Sequence, residues 1–258
     1  MTFNQYIDNP MGKSNAVFSQ REAYKATYTE KFDKVLVKEN GTFGYTLMWD
    51  KNKDEYYCVM KVPSESTKMY YDVVIKFYTN DNALYTSPIL TGYDVKFFSN
   101  DPAFVFTYLR VFYKNNMFVE ELKGKASKKA LKEDPTQRNT YMVPGYVKSI
   151  YFAFLYMKAK GLFNKSHYKG TGVAYNKAKL NSLVTDTDTK LEERTDAGKQ
   201  ANAARKAERQ KQVTKTAEEK MNIPSNAVST SKNVRISNSV ATVKNANNVR
   251  RSKTVKRK

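Results

Sequence analysis

No aromatic residue follows Tyr175 in this chain of 258 residues, so all 19 Tyr, all 14 Phe and the single Trp lie before it. A segment without large apolar side chains cannot offset an ordering entropy of roughly 1–2 kcal/mol per residue. The last third of the chain is therefore unable to fold alone, and any sizeable core belongs to a body of about 150 residues. Charge divides the chain at nearly the same place. From Ser166 to Lys258 there are 21 Lys and Arg against 8 Asp and Glu, and after Glu219 there is no acidic residue at all.

The expected organisation is an α+β body at 19–165 between two unlike ends. Residues 1–18 read as a flexible N-terminal arm, 166–222 as a linker with a polar helix, and 223–258 as a disordered basic tail. Ser19-Gln20-Arg21-Glu22 has the form of a capping box and predicts a helix from about 20 to 32, with Tyr24, Tyr28 and Phe32 one turn apart. Five strands are expected next, at Val35–Val37, Phe43–Trp49, Glu55–Val62, Tyr70–Thr79 and Tyr93–Phe98. Asn40-Gly41 is a hairpin turn pair. Pro63 ends its run because it cannot donate to a ladder. The apolar period then changes from 2 to 3.6. Asp101-Pro102 supplies an N-cap and a first-turn proline for a helix through Phe104, Tyr108, Val111 and Phe112.

A polar hinge is expected over about 123–140. A second apolar stripe, Val147, Ile150, Tyr151, Phe154 and Leu155, predicts a helix over Tyr146–Lys160 with Gly161 just beyond its end. The order of helix, strands and helices points to a small antiparallel, aromatic-rich sheet of about five strands with three or more helices. Thr189-Lys190-Leu191-Glu192 is another capping box, opening a helix to about Met221. Its apolar positions are too small for a core, so it reads as a spacer or as a helix formed on contact with a partner.

The motifs argue against most chemistry. Met11-Gly12-Lys13-Ser14 invites a phosphate-loop reading, but that loop needs an earlier glycine five residues before Gly12, and Ile7 stands there. The lone His167 and lone Cys58 have no ligand spacing for zinc. Cys58 alternates within a strand between Tyr57 and Val59 and reads as an inert buried thiol. Asp50, Asp54 and Glu55 form a charged hairpin tip, Asp101 has a capping role, and Asp81, Glu120 and Glu121 join no constellation. The expectation is a protein that is not an enzyme and needs no cofactor and no metal.

A net charge of +20 and a pI near 9.7 favour a polyanionic partner. One cysteine rules out an intrachain disulfide framework. Met1–Asn9 has neither the basic region nor the apolar core of a secretory signal. The longest apolar stretch, Ile150–Met157, falls far short of the ~20 residues of a membrane span, so the chain is expected to be unsecreted and to insert into no membrane.

Two surfaces could meet nucleic acid. The first is the tail, where Arg235, Lys244, Arg250, Arg251, Lys253, Lys256, Arg257 and Lys258 are the expected phosphate contacts. Such contacts release counterions, carry no base readout and weaken with salt. The second is the sheet, where Tyr45, Trp49, Tyr56, Tyr57, Tyr70, Tyr71, Phe77 and Tyr78 crowd near Lys61, Lys68 and Lys76. Tyr45, Trp49, Tyr56 and Tyr78 are its candidate stacking residues for bases. The competing reading is that these aromatics fill a core and the rest are ordinary strand formers.

Three segments together resemble a family of small proteins encoded by double-stranded DNA phages of Gram-positive hosts. They are Asn9-Pro10-Met11-Gly12-Lys13 with Val17-Phe18-Ser19, then Phe98-Ser99-Asn100-Asp101-Pro102 through Phe106, then Gly145-Tyr146-Val147-Lys148-Ser149-Ile150-Tyr151-Phe152-Ala153. The resemblance spans roughly residues 9–165 and brings no catalytic residues with it. It implies a phage context and a place in the host cytoplasm or the virion. The leading expectation is a nucleic-acid-binding protein, with DNA before RNA as its partner. The alternative is a structural virion protein, a capsid, connector or internal component, whose terminal arms reach other virion proteins or further copies of itself.

Overall fold

The structure, a computed structural model, describes residues 1–8, 15–30, 43–64, 69–79, 87–136, 139 and 142–221, without the side chains of 15–19, 201, 205 and 209–221. The chain divides into two units, Met1–Ala207 and Glu208–Lys258. Of the second, Glu208–Met221 is described, and it is helical.

Alternating aromatic and β-branched residues make the sheet. Strands β1 (Tyr45–Asp50), β2 (Glu55–Pro63), β3 (Tyr70–Tyr78) and β4 (Asp94–Ser99) pair antiparallel in succession. The β1–β2 tip turns where Asp50 Oδ1 accepts from Asn52 N and Asp54 takes a φ of 50°, which a short polar residue tolerates. A two-residue strand, β5 (Val173–Ala174), joins β1 in parallel, so the order is β4-β3-β2-β1-β5. The α+β class and the five strands stand as expected, but the fifth strand comes from beyond residue 166 and makes the sheet mixed. Val35–Val37 and Asn40-Gly41 lie outside the described residues.

Both faces of the sheet are covered. Period 2 places Tyr71, Val73, Ile75 and Phe77 on one face and Asp72, Val74, Lys76 and Tyr78 on the other. The first face meets α1 (Phe3–Asp8), α5 (Lys148–Ala159) and α6 (Lys165–Gly170), with Phe3 against Phe77 at 5.5 Å and Tyr56 against Tyr168 at 5.5 Å. The second meets a 3₁₀ segment (Glu120–Lys125), Tyr175 and α7 (Lys177–Leu183). Helix α5 ends as its sequence predicts: Gly161 has φ 67°, and Leu162 N donates to Met157 O at 2.9 Å.

Three expectations about boundaries are corrected. Residues 1–8 are not an arm, because Phe3 and Tyr6 are fully buried and the N-terminal ammonium pairs with Asp94 at 2.9 Å. The body does not stop at 165. Tyr168, Leu180, Val184 and Thr187 are buried, and Asp72 Oδ2 accepts from Thr185 N at 2.8 Å and from Asn100 Nδ2 at 2.9 Å, anchoring residues 183–187 to the sheet. The stretch expected as a hinge contains the 3₁₀ segment and α4 (Lys128–Lys132), with Leu122, Ala126 and Leu131 buried.

Helix starts also lie upstream of the capping boxes. Helix α2 spans Asn15–Tyr28 and α8 spans Thr187–Met221, so Ser19 and Thr189 are interior. The helix from Asp101-Pro102 opens differently again. Asp101 Oδ1 accepts from Ala103 N at 2.9 Å as an N-cap. Phe104–Tyr108 then runs as a π-helix, with Leu109 N donating to Phe104 O, before α3 (Leu109–Lys114) resumes the ordinary pitch.

Candidate nucleic-acid interface

Tyr45, Leu47 and Trp49 project from the same face of β1, and the register sets Trp49 opposite Tyr56 and Tyr45 opposite Met60. Strand rise puts the two outer aromatics about 13 Å apart. Tyr45 is 43% exposed. Its ring lies 6.1 Å from Tyr156, over which the Lys160 ammonium sits at 5.9 Å. Trp49 is half-buried where β5 begins, and its carbonyl accepts from Tyr175 N at 2.9 Å. The Lys169 ammonium lies 5.6 Å from the Trp49 ring. Lys169 is exposed on α6, whose first turn is capped by Asn164 Oδ1 accepting from Ser166 N at 2.9 Å.

The other two candidates part company with this pair. Tyr78, half-buried on the opposite face and two strands away, has the Lys96 ammonium 5.4 Å from its ring. Tyr56 is corrected outright. It is fully buried, and its hydroxyl donates to Asp54 at 2.6 Å, so it offers no face to a base. Burial first, then the Asp54 carboxylate, raises its phenol. Burial works to raise Asp54, yet the Tyr56 and Tyr93 hydroxyls and the Lys165 charge hold it below the usual carboxylate range. Tyr57, Tyr71 and Phe77 are buried as well, whereas Tyr70 is exposed. Cys58 is buried and burial pushes its thiol up to about 12, which leaves little thiolate at neutral pH.

Arg235, Lys244, Arg250, Arg251, Lys253, Lys256, Arg257 and Lys258 lie outside the described residues, as does Met11–Ser14. Among the described residues, no group of three or more His, Cys, Asp or Glu could hold a metal ion. No helix among them is long and apolar enough to cross a membrane.

A feature the sequence reading missed is a cleft of about 720 Å³ within Met1–Ala207. The π-helix presents Phe106 at its wall, 65% exposed. Lys148 enters from the start of α5, its ammonium 5.5 Å from the Tyr24 ring and 5.9 Å from the Phe152 ring. Arg194 enters from α8. Asp101 and Ser149 also line it, and Ser149 Oγ lies 3.3 Å from Ser99 Oγ. Burial raises Asp101, while Ala103 N, Ser149 and the charges of Arg194 and Lys148 work to lower it. Nothing in residue spacing announces this convergence, since Asp101 and Arg194 are 93 positions apart. The available signal was Phe106, which breaks the apolar stripe of its helix.

No family model, no curated protein and no solved structure matches this chain. The protein is thus defined by its own geometry: an α+β body around a five-stranded mixed sheet, with paired aromatics and lysines at the sheet's β1 side.

Proposed function

We propose that this chain is a nucleic-acid-binding protein without enzymatic activity, acting in a phage context, with DNA as its polyanion. The observation that carries the reading is the pairing of Trp49 with Lys169 on the same face of β1 as the exposed Tyr45. Stacking on an aromatic face beside an ammonium is how single strands are held without sequence readout, at roughly 1–3 kcal/mol per base. The terminal segment from Lys220 carries ten Lys and Arg and no acid, and would add salt-sensitive phosphate contacts.

The chain has one tryptophan, so its fluorescence reports on Trp49 alone. Titration with an unstructured single-stranded oligonucleotide should quench that emission at low salt. Emission that stays unchanged while the oligonucleotide is bound would remove the stacking surface from the proposal.

A structural role in the virion is the second reading. Burial of Tyr56, Tyr57, Tyr71 and Phe77 favours it, since those rings serve packing. Packing of Met1–Asp8 within the same chain takes away one of the two arms it invoked. Its test is whether the protein purifies with particles.

A further inference from the structure

We infer that the cleft beside the π-helix binds a single nucleotide unit, with the base against Phe106 and the phosphate between Lys148 and Arg194. This rests on the nucleic-acid reading and extends it to a second site. Size is the first support: about 720 Å³ lies within the roughly 300–1,000 Å³ of small-molecule sites.

The side chains supply the rest. Phe106 is 65% exposed, the most exposed large apolar side chain of the body, and it stands in a π-helical turn. Such turns recur at functional sites because the extra residue re-aims a side chain. Two cations of the cleft come from elements far apart in the chain, and both act on the buried Asp101. Two positive charges against one buried carboxyl leave an excess that suits a phosphate. The Asp101 carboxyl and the Ser149 hydroxyl, at the inner end, can exchange hydrogen bonds with a ribose or a base edge. Inorganic phosphate would use the cations and leave Phe106 idle. An acidic peptide would likewise give the exposed ring no flat partner.

The test is calorimetric titration of the full chain with adenosine monophosphate, with inorganic phosphate as comparison, and saturation-transfer NMR on the adenine protons. Adenosine monophosphate should bind more tightly than phosphate, with transfer to the base. Phe106→Ala should weaken the nucleotide about five-fold or more and leave phosphate unchanged. Arg194→Gln should weaken both. Both side chains are exposed, and unchanged melting temperatures would show that the variants fold. Equal binding of nucleotide and phosphate, or nucleotide binding indifferent to both substitutions, overturns the inference. Quenching of Trp49 by an oligonucleotide in that same case would leave the interface reading standing. Nucleotide binding at the cleft without Trp49 quenching would instead sink the interface reading alone.

Discussion

Lys76 donates to Glu121 at 2.6 Å across the covered face of β3, with Glu55 a further 2.9 Å neighbour of the same ammonium. The Tyr57 hydroxyl closes the group, donating to Glu121 at 2.9 Å, while its ring stacks on Tyr175 at 4.6 Å. A lysine the sequence offered as a phosphate contact is thereby a clamp, holding the 3₁₀ segment onto the sheet. Burial opposes its charge, and the two carboxylates outweigh burial and raise it.

Replacing Lys76 by Met should destabilise the body by roughly 2–3 kcal/mol, because Glu55 and Glu121 would keep their charges without a partner. Glu121 titrates below its ordinary 4.5 despite burial, so its share of stability is complete above that value and is lost as pH falls through the lower folded one. Lys76 titrates above its ordinary 10.5, so its share is complete below that value and is lost as pH rises through the higher folded one. Urea melts of the two proteins should differ most between about pH 5 and 10 and converge toward acid.

Phe3→Ala should cost about 3–5 kcal/mol, as for other fully buried aromatics. Phe3 touches Phe77, Phe97, Phe154 and Phe163, with centroids 5.2 to 6.1 Å away. A thermal melt within a degree of the parent would mean that α1 is the loose arm its sequence suggested.

Truncation after Glu219 should leave the melting temperature of the body unchanged while sharply reducing DNA retention at low salt. The slope of log affinity against log salt should flatten by about 0.9 for each phosphate contact removed from duplex DNA. Retention equal to that of the full chain would refute the tail's role.

Trp49→Phe keeps an aromatic face, and Trp49→Ala removes it. The alanine variant should bind a single-stranded oligonucleotide more weakly by roughly 1–3 kcal/mol, and the phenylalanine variant should recover much of that. Fluorescence anisotropy of a labelled oligonucleotide measures both. Equal affinities across the series would argue that Trp49 only packs against β5.

Native protein should leave Cys58 unmodified by a thiol-specific disulfide reagent at pH 8, since the thiol is buried and titrates near 12. Urea should release one equivalent. Rapid native labelling would show that β2 opens locally.

The strands and α5 were legible because their signals are local. Period 2 with Pro63 outlines β2, and Gly161 marks the end of α5. The helix starts at Asn15 and Thr187 were not legible, since a capping box offers a local partner to the first amides without preventing the turn from continuing upstream. Segment 166–187 was misread for a different reason. Its anchors are few and distant, with Asp72 reaching Thr185 across 113 positions, and no window of sequence contains both ends of such a bond. The stacking set was half legible. Composition and period select Tyr45, Trp49, Tyr56 and Tyr78 equally, and only the placement of α6 and α1 buries Tyr56 and leaves Tyr45 outside.

By itself the sequence determined where a core could exist and where it could not. The aromatic residues end at Tyr175 and the acidic ones at Glu219, and both limits follow from burial and charge, which composition states directly. Tertiary structure alone decided which aromatics face out, which lysines are tied to carboxylates, and that Phe106, Lys148 and Arg194 share one cleft. Those outcomes depend on contacts between residues far apart in the chain, and such contacts are fixed by how the covering elements pack on the sheet.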